Sequence, residues 1–308
     1  MNKTIKIGKL EFTGWKNITL FVSAIVYWIV VATQHLNVTD ILTDWVVTPF
    51  GKFVPRDYSI LVGIIVSTLI LILIVYQFVK GSRRVITSIY WLGLFASLLL
   101  AFRFLITAPI EIIHFPQYAL LSFLIAKAVD PERKKSWIVS LLFWVTFMGI
   151  LDETNQYFYL TRQYTKYYDF NDFMLNEIGA AVGLMLYYGF KEMQTQEFKF
   201  SVIVKSLGFK IVSVIFIVYL SLSLSGILHI SPHNKIPSAT FTSDNGLLQI
   251  YLSRVPGLLG SWQERDLGGY IYTLTPFNGI LLMLVFGFLF SFYRYSIKNP
   301  LQLFRKKK

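Results

Sequence analysis

Residues Ile86–Ile106 read ITSIYWLGLFASLLLAFRFLI, and the single charge in that run is Arg103, about one turn before its end. A helix of about 20 apolar residues crosses the roughly 30 Å hydrocarbon core of a bilayer. The run is therefore read as a membrane span. Working outward, Lys80, Arg83 and Arg84 precede it, and Glu111 and His114 follow it. The chain thus passes from a basic flank, through lipid-compatible sequence, to a flank carrying an acid and an imidazole.

The rest of the chain follows the same composition. Of its 308 residues, 55% are hydrophobic, 17% aromatic and only 15% charged, and mean hydropathy is +0.55. Soluble domains carry about 25% charged residues, so this chain lacks the charge to cover a water-facing surface. Disorder, collagen-like repeats and a disulfide-stapled scaffold are excluded. The absence of cysteine also excludes a thiol nucleophile and a thiolate metal site.

Eight segments approach the length of a span: Ile18–Thr33, Ile60–Phe78, Ile86–Ile106, Tyr118–Val129 with its upstream turn, Trp137–Leu151, Phe173–Phe190, Ile211–Ile227 and Ile280–Tyr293. The expected fold is an all-α polytopic transmembrane bundle of about eight spans with both termini cytoplasmic. Three parts are expected: residues 1–85 with spans one and two, 86–190 with spans three to six, and 191–308 with spans seven and eight. A basic leader without a small-x-small site favours a retained first span over a cleaved signal peptide. In an inside-start topology, 20 of the 29 Lys and Arg residues fall on the cytoplasmic side, following the positive-inside bias. The outer side holds Lys52, Arg56, Arg162, Lys166, Lys235, Arg254 and Arg265. Topology thereby accounts for the net charge of +12 without nucleic acid as a partner. The long outer loop near 228–277 is expected to carry structure of its own. Either residues 247–252 and 255–259 form an interfacial helix, or the loop caps the bundle.

Ionisable residues in spans are costly and mark candidate sites. Here they share one depth. Arg103 nears the end of span three, Glu111 and His114 precede span four, and Asp152, Glu153 and Gln156 end span five. Arg162 and Asp172 lie between spans five and six, which Asn176 and Glu177 open. Glu153 and Gln156 are three apart, while Asp152 and Gln156, like Asp172 and Asn176, are four apart, so each pair shares a helix face. Gly179 and Gly183 extend that stripe in a GxxxG pattern, which lets another helix approach closely; span five is the expected partner.

The run Asp152-Glu153-Thr154-Asn155-Gln156, followed by Arg162, Asp172, Asn176, Gly179 and Gly183, resembles the signature of VanZ-like membrane proteins. That signature is acid-Glu-x-x-Gln, an Arg six residues later, then Asp-x-x-x-Asn-x-x-Gly. His114-Phe115-Pro116-Gln117-Tyr118 is similar to a second family feature, a His followed by an aromatic and a Tyr as a span begins. The resemblance covers roughly residues 90–190. It departs in the Arg162-to-Asp172 interval, ten residues where the family has about six; Asp169 competes for the acidic position, but only Asp172 keeps the four-residue step to Asn176. The resemblance implies a contribution to resistance against lipid-tailed glycopeptides such as teicoplanin, or to cell-envelope homeostasis, in a bacterial plasma membrane.

On this reading Glu153 and Asp172 are candidate catalytic acid and base, with His114 as a third candidate. Arg103 and Arg162 would hold a phosphate or carboxylate, and Asp152, Gln156 and Asn176 would complete the binding of the substrate. The expected partners are membrane lipids or a lipid-linked cell-wall precursor. No cofactor is expected. No metal is expected either: His114, Glu153 and Asp172 are ligand types for an ion, but no His-x-x-x-His pattern or acidic cluster fixes a geometry. A proton-coupled transporter or flippase and a non-catalytic accessory protein are the alternatives, and the sequence leaves open whether any reaction occurs. There is no Gly-rich phosphate loop, Gly-x-Ser-x-Gly elbow or His-Glu-x-x-His helix.

Overall fold

The computed structural model describes residues 4–7, 10–47, 84–106, 109–133, 137–160, 168–190, 207–230, 240–242, 248–253, 260–264 and 269–294, with isolated positions between 68 and 79 and at 246. The expected Ile60–Phe78 span lies largely outside the described residues, as do Arg162, residues 255–259 and the basic tail.

The described chain is mostly helical. A short antiparallel hairpin, β1 (Thr4–Ile7) with β2 (Leu10–Thr13), leads through Gly14 at φ +87° into α1 (Trp15–Val47). There follow α2 (Arg84–Phe104), a 3₁₀ turn (Pro109–Ile113) and α3 (His114–Val129). Next come α4 (Ile138–Asn155), which widens into a π-helical turn at Gln156–Leu160, and α5 (Phe170–Tyr188). The last helices are α6 (Leu207–Leu224) and α7 (Pro276–Ser291).

Among the described residues, five stretches are long and apolar enough to cross a membrane: Trp15–Gln34, Ile86–Phe104, Glu111–Val129, Ile138–Leu160 and Leu207–Leu224. Their exposure matches that solvent. No residue of α6 is buried, and Ile215, Phe216 and Ile217 point outward. A helix apolar all round that keeps most of its surface uncovered by the described residues suits lipid rather than water. Helix α1 runs 14 residues or so past the expected end of span one, because no Gly or Pro interrupts Gln34–Val47 and Pro49 lies just beyond. At 1.5 Å per residue it is about 50 Å long, more than the hydrocarbon thickness.

Helix α5 is the axis of the bundle. All of its residues are buried except Asp172, Val182 and Leu186, and α2, α3, α4 and α7 all pack on it. It starts at Asp169, whose side chain accepts a hydrogen bond from the Asn171 amide at 2.9 Å, a standard N-cap. The GxxxG stripe of α5 faces α3, not span five as expected. A Cβ at Gly179 would sit 2.8 Å from the Phe115 carbonyl oxygen, and one at Gly183 only 1.9 Å from that of Ala119. The two backbones touch there. Ser122 reinforces the crossing by donating from Oγ to the Ala180 carbonyl at 2.8 Å. Span five, α4, reaches α5 through its own glycine: a Cβ at Gly149 would lie 3.0 Å from Asn176 Cβ. Helix α7, from the C-terminal third, joins the same core. Its Phe290 is buried, and the Tyr90 hydroxyl donates to its Leu289 carbonyl at 3.1 Å.

In the loop between α6 and α7, the interfacial-helix reading fails at 248–251, which is strand. Strand β5 (Leu248–Tyr251) lies between β3 (Leu228–His229), parallel to it, and β4 (Thr240–Thr242), antiparallel. Its Ile and Tyr favour a pleated surface, and Thr240–Thr242 supplies the paired edge. A second hairpin joins β6 (Trp262–Glu264) to β7 (Tyr270–Tyr272). The capping alternative holds. Tyr157 donates its hydroxyl to the Tyr251 carbonyl at 2.8 Å, and the Tyr168 amide donates to the Leu252 carbonyl at 3.2 Å. Asn171 donates to the carbonyls of Leu105 (2.8 Å) and Tyr272 (3.0 Å) while accepting from the Leu274 amide (2.8 Å).

The α3–α5 contact predicts that Gly183→Ala forces the backbones apart and costs about 3 kcal/mol, at the upper end of the range for overpacking. Gly93→Ala, with nothing within 4 Å of the added carbon, should be neutral or stabilising. Thermal unfolding in detergent, followed by tryptophan fluorescence, distinguishes the two; equal midpoints for Gly183→Ala and wild type would refute the contact.

Candidate functional site

The polar residues of α3, α4 and α5 converge because the helices touch about one turn away. Gly179 meets the start of α3, so Asn176, three residues earlier on the same face, meets His114. Gly149 meets Asn176, so Glu153, one turn further along α4, reaches the same amide. Asp172, one turn before Asn176, arrives on the other side of the imidazole.

The resulting network is continuous. The Tyr118 hydroxyl donates to Asp152 Oδ2 at 2.8 Å. Gln156 Nε2 donates to Asp152 Oδ1 at 3.4 Å and to Glu153 Oε1 at 3.2 Å. Asn176 Nδ2 donates to the same Glu153 oxygen at 3.4 Å, which turns Asn176 Oδ1 toward His114. His114 Nδ1 lies 2.8 Å from that oxygen and therefore carries the proton it donates. His114 Nδ1 is also 4.0 Å from Glu153 Oε1, and His114 Nε2 is 3.8 Å from Asp172 Oδ1. His114, Asn176 and Glu153 are 2%, 0% and 4% exposed, whereas the Asp172 side chain retains 14%. Among the described residues the cluster is buried, least so at Asp172. In such surroundings each hydrogen bond is strengthened and each unmade one is costly.

Seven residues singled out in the sequence thus form one unit: His114, Asp152, Glu153, Gln156, Asp172, Asn176 and, by packing, Gly179. Gly183 belongs to the helix contact alone. Asp172 rather than Asp169 joins the cluster, since Asp169 caps α5. Arg103 goes elsewhere. Its Nη1 donates to the Tyr270 carbonyl at 3.3 Å and its guanidinium lies 5.2 Å from the centre of the Phe104 ring. There it lines a pocket of about 420 Å³ with Phe104, Trp262 and Tyr270, none of them cluster residues. Arg162 lies outside the described residues. Glu177 is buried on another face, where a Cβ at Gly287 of α7 would come 3.1 Å from its Oε1.

Two groups escaped the sequence-based choice of site residues. Tyr118 orients Asp152 from the turn after His114; its four-residue step from His114 was the available signal. Asn171 ties the cap to the bundle by three bonds, and nothing in its spacing distinguishes it from a surface amide. Thr154 shares a hydrogen bond with Tyr168, anchoring the end of α4 to the segment before α5.

The arrangement offers two kinds of chemistry. Paired carboxylates beside an imidazole can exchange protons with a bound group. The same residues can hold a cation: one ligand atom from each of His114, Glu153 and Asp172 lies within 4.8 Å of the other two. The sequence offered these three as ligand types but no spacing that joins them, because each member comes from a different helix.

A double-mutant cycle tests the network. His114→Ala and Asn176→Ala should each destabilise, because each leaves a buried polar partner unsatisfied at about 1–3 kcal/mol. Together they should fall short of additivity by at least about 0.5 kcal/mol. Strict additivity in unfolding free energy would mean the bond is not made.

Compared with models of protein families, with curated proteins and with solved structures, the chain matches none.

Proposed function

We propose that this chain is a multi-pass protein of about eight spans in a bacterial plasma membrane, both termini cytoplasmic, with a VanZ-like function in the cell envelope. In this reading the buried cluster binds or modifies an anionic headgroup on a lipid or lipid-linked cell-wall precursor at the outer leaflet. The outcome is protection against lipid-tailed glycopeptides of the teicoplanin type. The observation that carries the reading is the hydrogen-bonded unit of His114, Asn176, Glu153 and Gln156 with Asp172 beside it, at one end of three helices. These are the residues on which the resemblance rests.

The roles follow from contacts and chemistry. Glu153, held by two side-chain amides, is the positioned carboxylate. Asp172, the least buried of them, is the group that meets an entering headgroup. His114 lies between them and exchanges protons with either. Gln156 and Asn176 orient the acids. Arg162 serves as the anion holder; Arg103, bonded to the outer cap, is left out of this assignment.

A proton relay for transport is the second reading, favoured by the unbroken chain Tyr118–Asp152–Gln156–Glu153–Asn176–His114. Transport sites usually lie near the bilayer midplane between repeats. This cluster lies at the helix ends beneath the cap, which favours the headgroup reading.

In a sensitive host, wild type should raise resistance to teicoplanin but not to vancomycin, and Glu153→Gln at matched membrane levels should abolish that protection. Unchanged teicoplanin susceptibility with wild type would remove the VanZ-like reading. Sidedness is checked separately, since the chain lacks cysteine. Lys80→Cys should react with a membrane-impermeant maleimide only in permeabilised cells, and Ser261→Cys in intact cells; the reverse pattern would invert the topology.

A further inference from the structure

We infer that His114, Glu153 and Asp172 form a binding site for one divalent transition-metal ion, of the zinc or manganese type. Binding of the ion stands on geometry alone; its use to grip an anionic headgroup rests on the reading given above.

The amide of Asn176 sets the tautomer of His114. Its Nδ2 donates to Glu153, so its Oδ1 accepts from His114 Nδ1. With the proton on Nδ1, the ring's lone pair is on Nε2, and Nε2 faces Asp172 Oδ1 at 3.8 Å. Two electron-pair donors therefore confront each other in a buried setting. Asp172 Oδ1 is buried and makes no hydrogen bond. A proton shared between them would draw the pair to about 2.7–2.9 Å. An ion with metal–nitrogen and metal–oxygen distances of about 2.0–2.2 Å instead holds tetrahedral ligands about 3.4 Å apart. The observed separation is nearer the latter, and one ligand atom of Glu153 lies within 4.8 Å of one from each of the other two, so the three side chains would draw together around the ion.

The surroundings fit the same reading. A histidine that binds a metal usually donates its other N–H to a carbonyl or carboxylate, which fixes the tautomer; Asn176 accepts that bond here. The Glu153 carboxylate is oriented by Gln156 and Asn176. Three carboxyl groups, Asp152, Glu153 and Asp172, share this apolar interior, and a dication offsets their charge where isolated carboxylates are expensive. One imidazole with two carboxylates suits zinc, manganese or iron better than magnesium or calcium, which take oxygen ligands alone. Three protein ligands leave a coordination position open. The 14% exposure of Asp172 puts the opening on its side, where a phosphate or carboxylate oxygen of a headgroup would complete the shell.

The test uses the full chain, purified in detergent through a tag without histidine, stripped with chelator, and titrated with zinc chloride or manganese chloride. Calorimetry and metal analysis should find one ion per chain, and zinc should raise the thermal midpoint. Asp172→Asn removes a charge without breaking a hydrogen bond at Oδ1 and should bind at least tenfold more weakly. His229→Gln, in the outer loop, should bind like wild type. Zinc K-edge absorption on wild type should report one nitrogen and two or more oxygen neighbours. Absence of stoichiometric binding, equal affinity in Asp172→Asn, or a spectrum with several imidazoles would each overturn the assignment. These readouts do not involve antibiotic susceptibility. Metal binding without protection would leave the site standing and remove the VanZ-like reading; protection that needs Glu153 without metal binding would do the converse.

Discussion

The backbone contact between α3 and α5 at Gly179 and Gly183 sets the position of every polar group in the bundle. Backbone meets backbone at both glycines, with Ser122 Oγ also against Gly183, and this fixes the axial register of the two helices. Once that register is set, the step from Gly179 back to Asn176 and Asp172 brings an amide and a carboxylate to opposite sides of His114. Gly149 repeats the device on α4 and carries Glu153 one turn beyond it. In a membrane the hydrophobic effect does not drive helices together, so close packing at small residues and interhelical hydrogen bonds must do so. Both are present in the same few turns.

The bilayer also explains why the network is so complete. Water is absent from its core, and a buried polar group must find its partner within the protein. Tyr118, Asp152, Gln156, Glu153, Asn176 and His114 satisfy one another in sequence. Asp172 Oδ1 and Glu177 Oε2 are the acidic exceptions among the described residues. They differ in setting. Asp172 faces another donor of electrons across a short gap, whereas Glu177 is turned toward a glycine of α7. The first arrangement invites a cation; the second reads as a tolerated buried acid.

Above the cluster, two small sheets and the π-helical turn at Gln156–Leu160 close the end of the bundle. A π turn rotates the residues after it relative to an α-helix, and such turns recur at functional sites. Here Gln156, still at the α-helical step from Asp152 and Glu153, faces the acids, while Tyr157, the next residue, bonds to β5. Asn171 and Arg103 complete the attachment of the cap through the carbonyls of β7. The loop is thereby part of the site's enclosure.

The helical, membrane-embedded character of this protein was legible in its composition and in the apolar runs, because lipid selects for side-chain polarity along the whole length of a span. The helical steps linking Glu153 with Gln156 and Asp172 with Asn176 were equally legible, since they depend on the pitch of one helix. Sequence alone did not reveal that Gly179 and Gly183 face α3, that Arg103 leaves the cluster for the β6–β7 hairpin, or that residues 248–251 form a strand. Nor could it show that one ligand atom from each of three helices lies within 4.8 Å of the other two. Those outcomes depend on which helices touch and at what register, and local spacing is silent about both. Composition and pitch determined the bundle and the faces of its helices; the glycine contacts, acting between helices, decided what those faces meet.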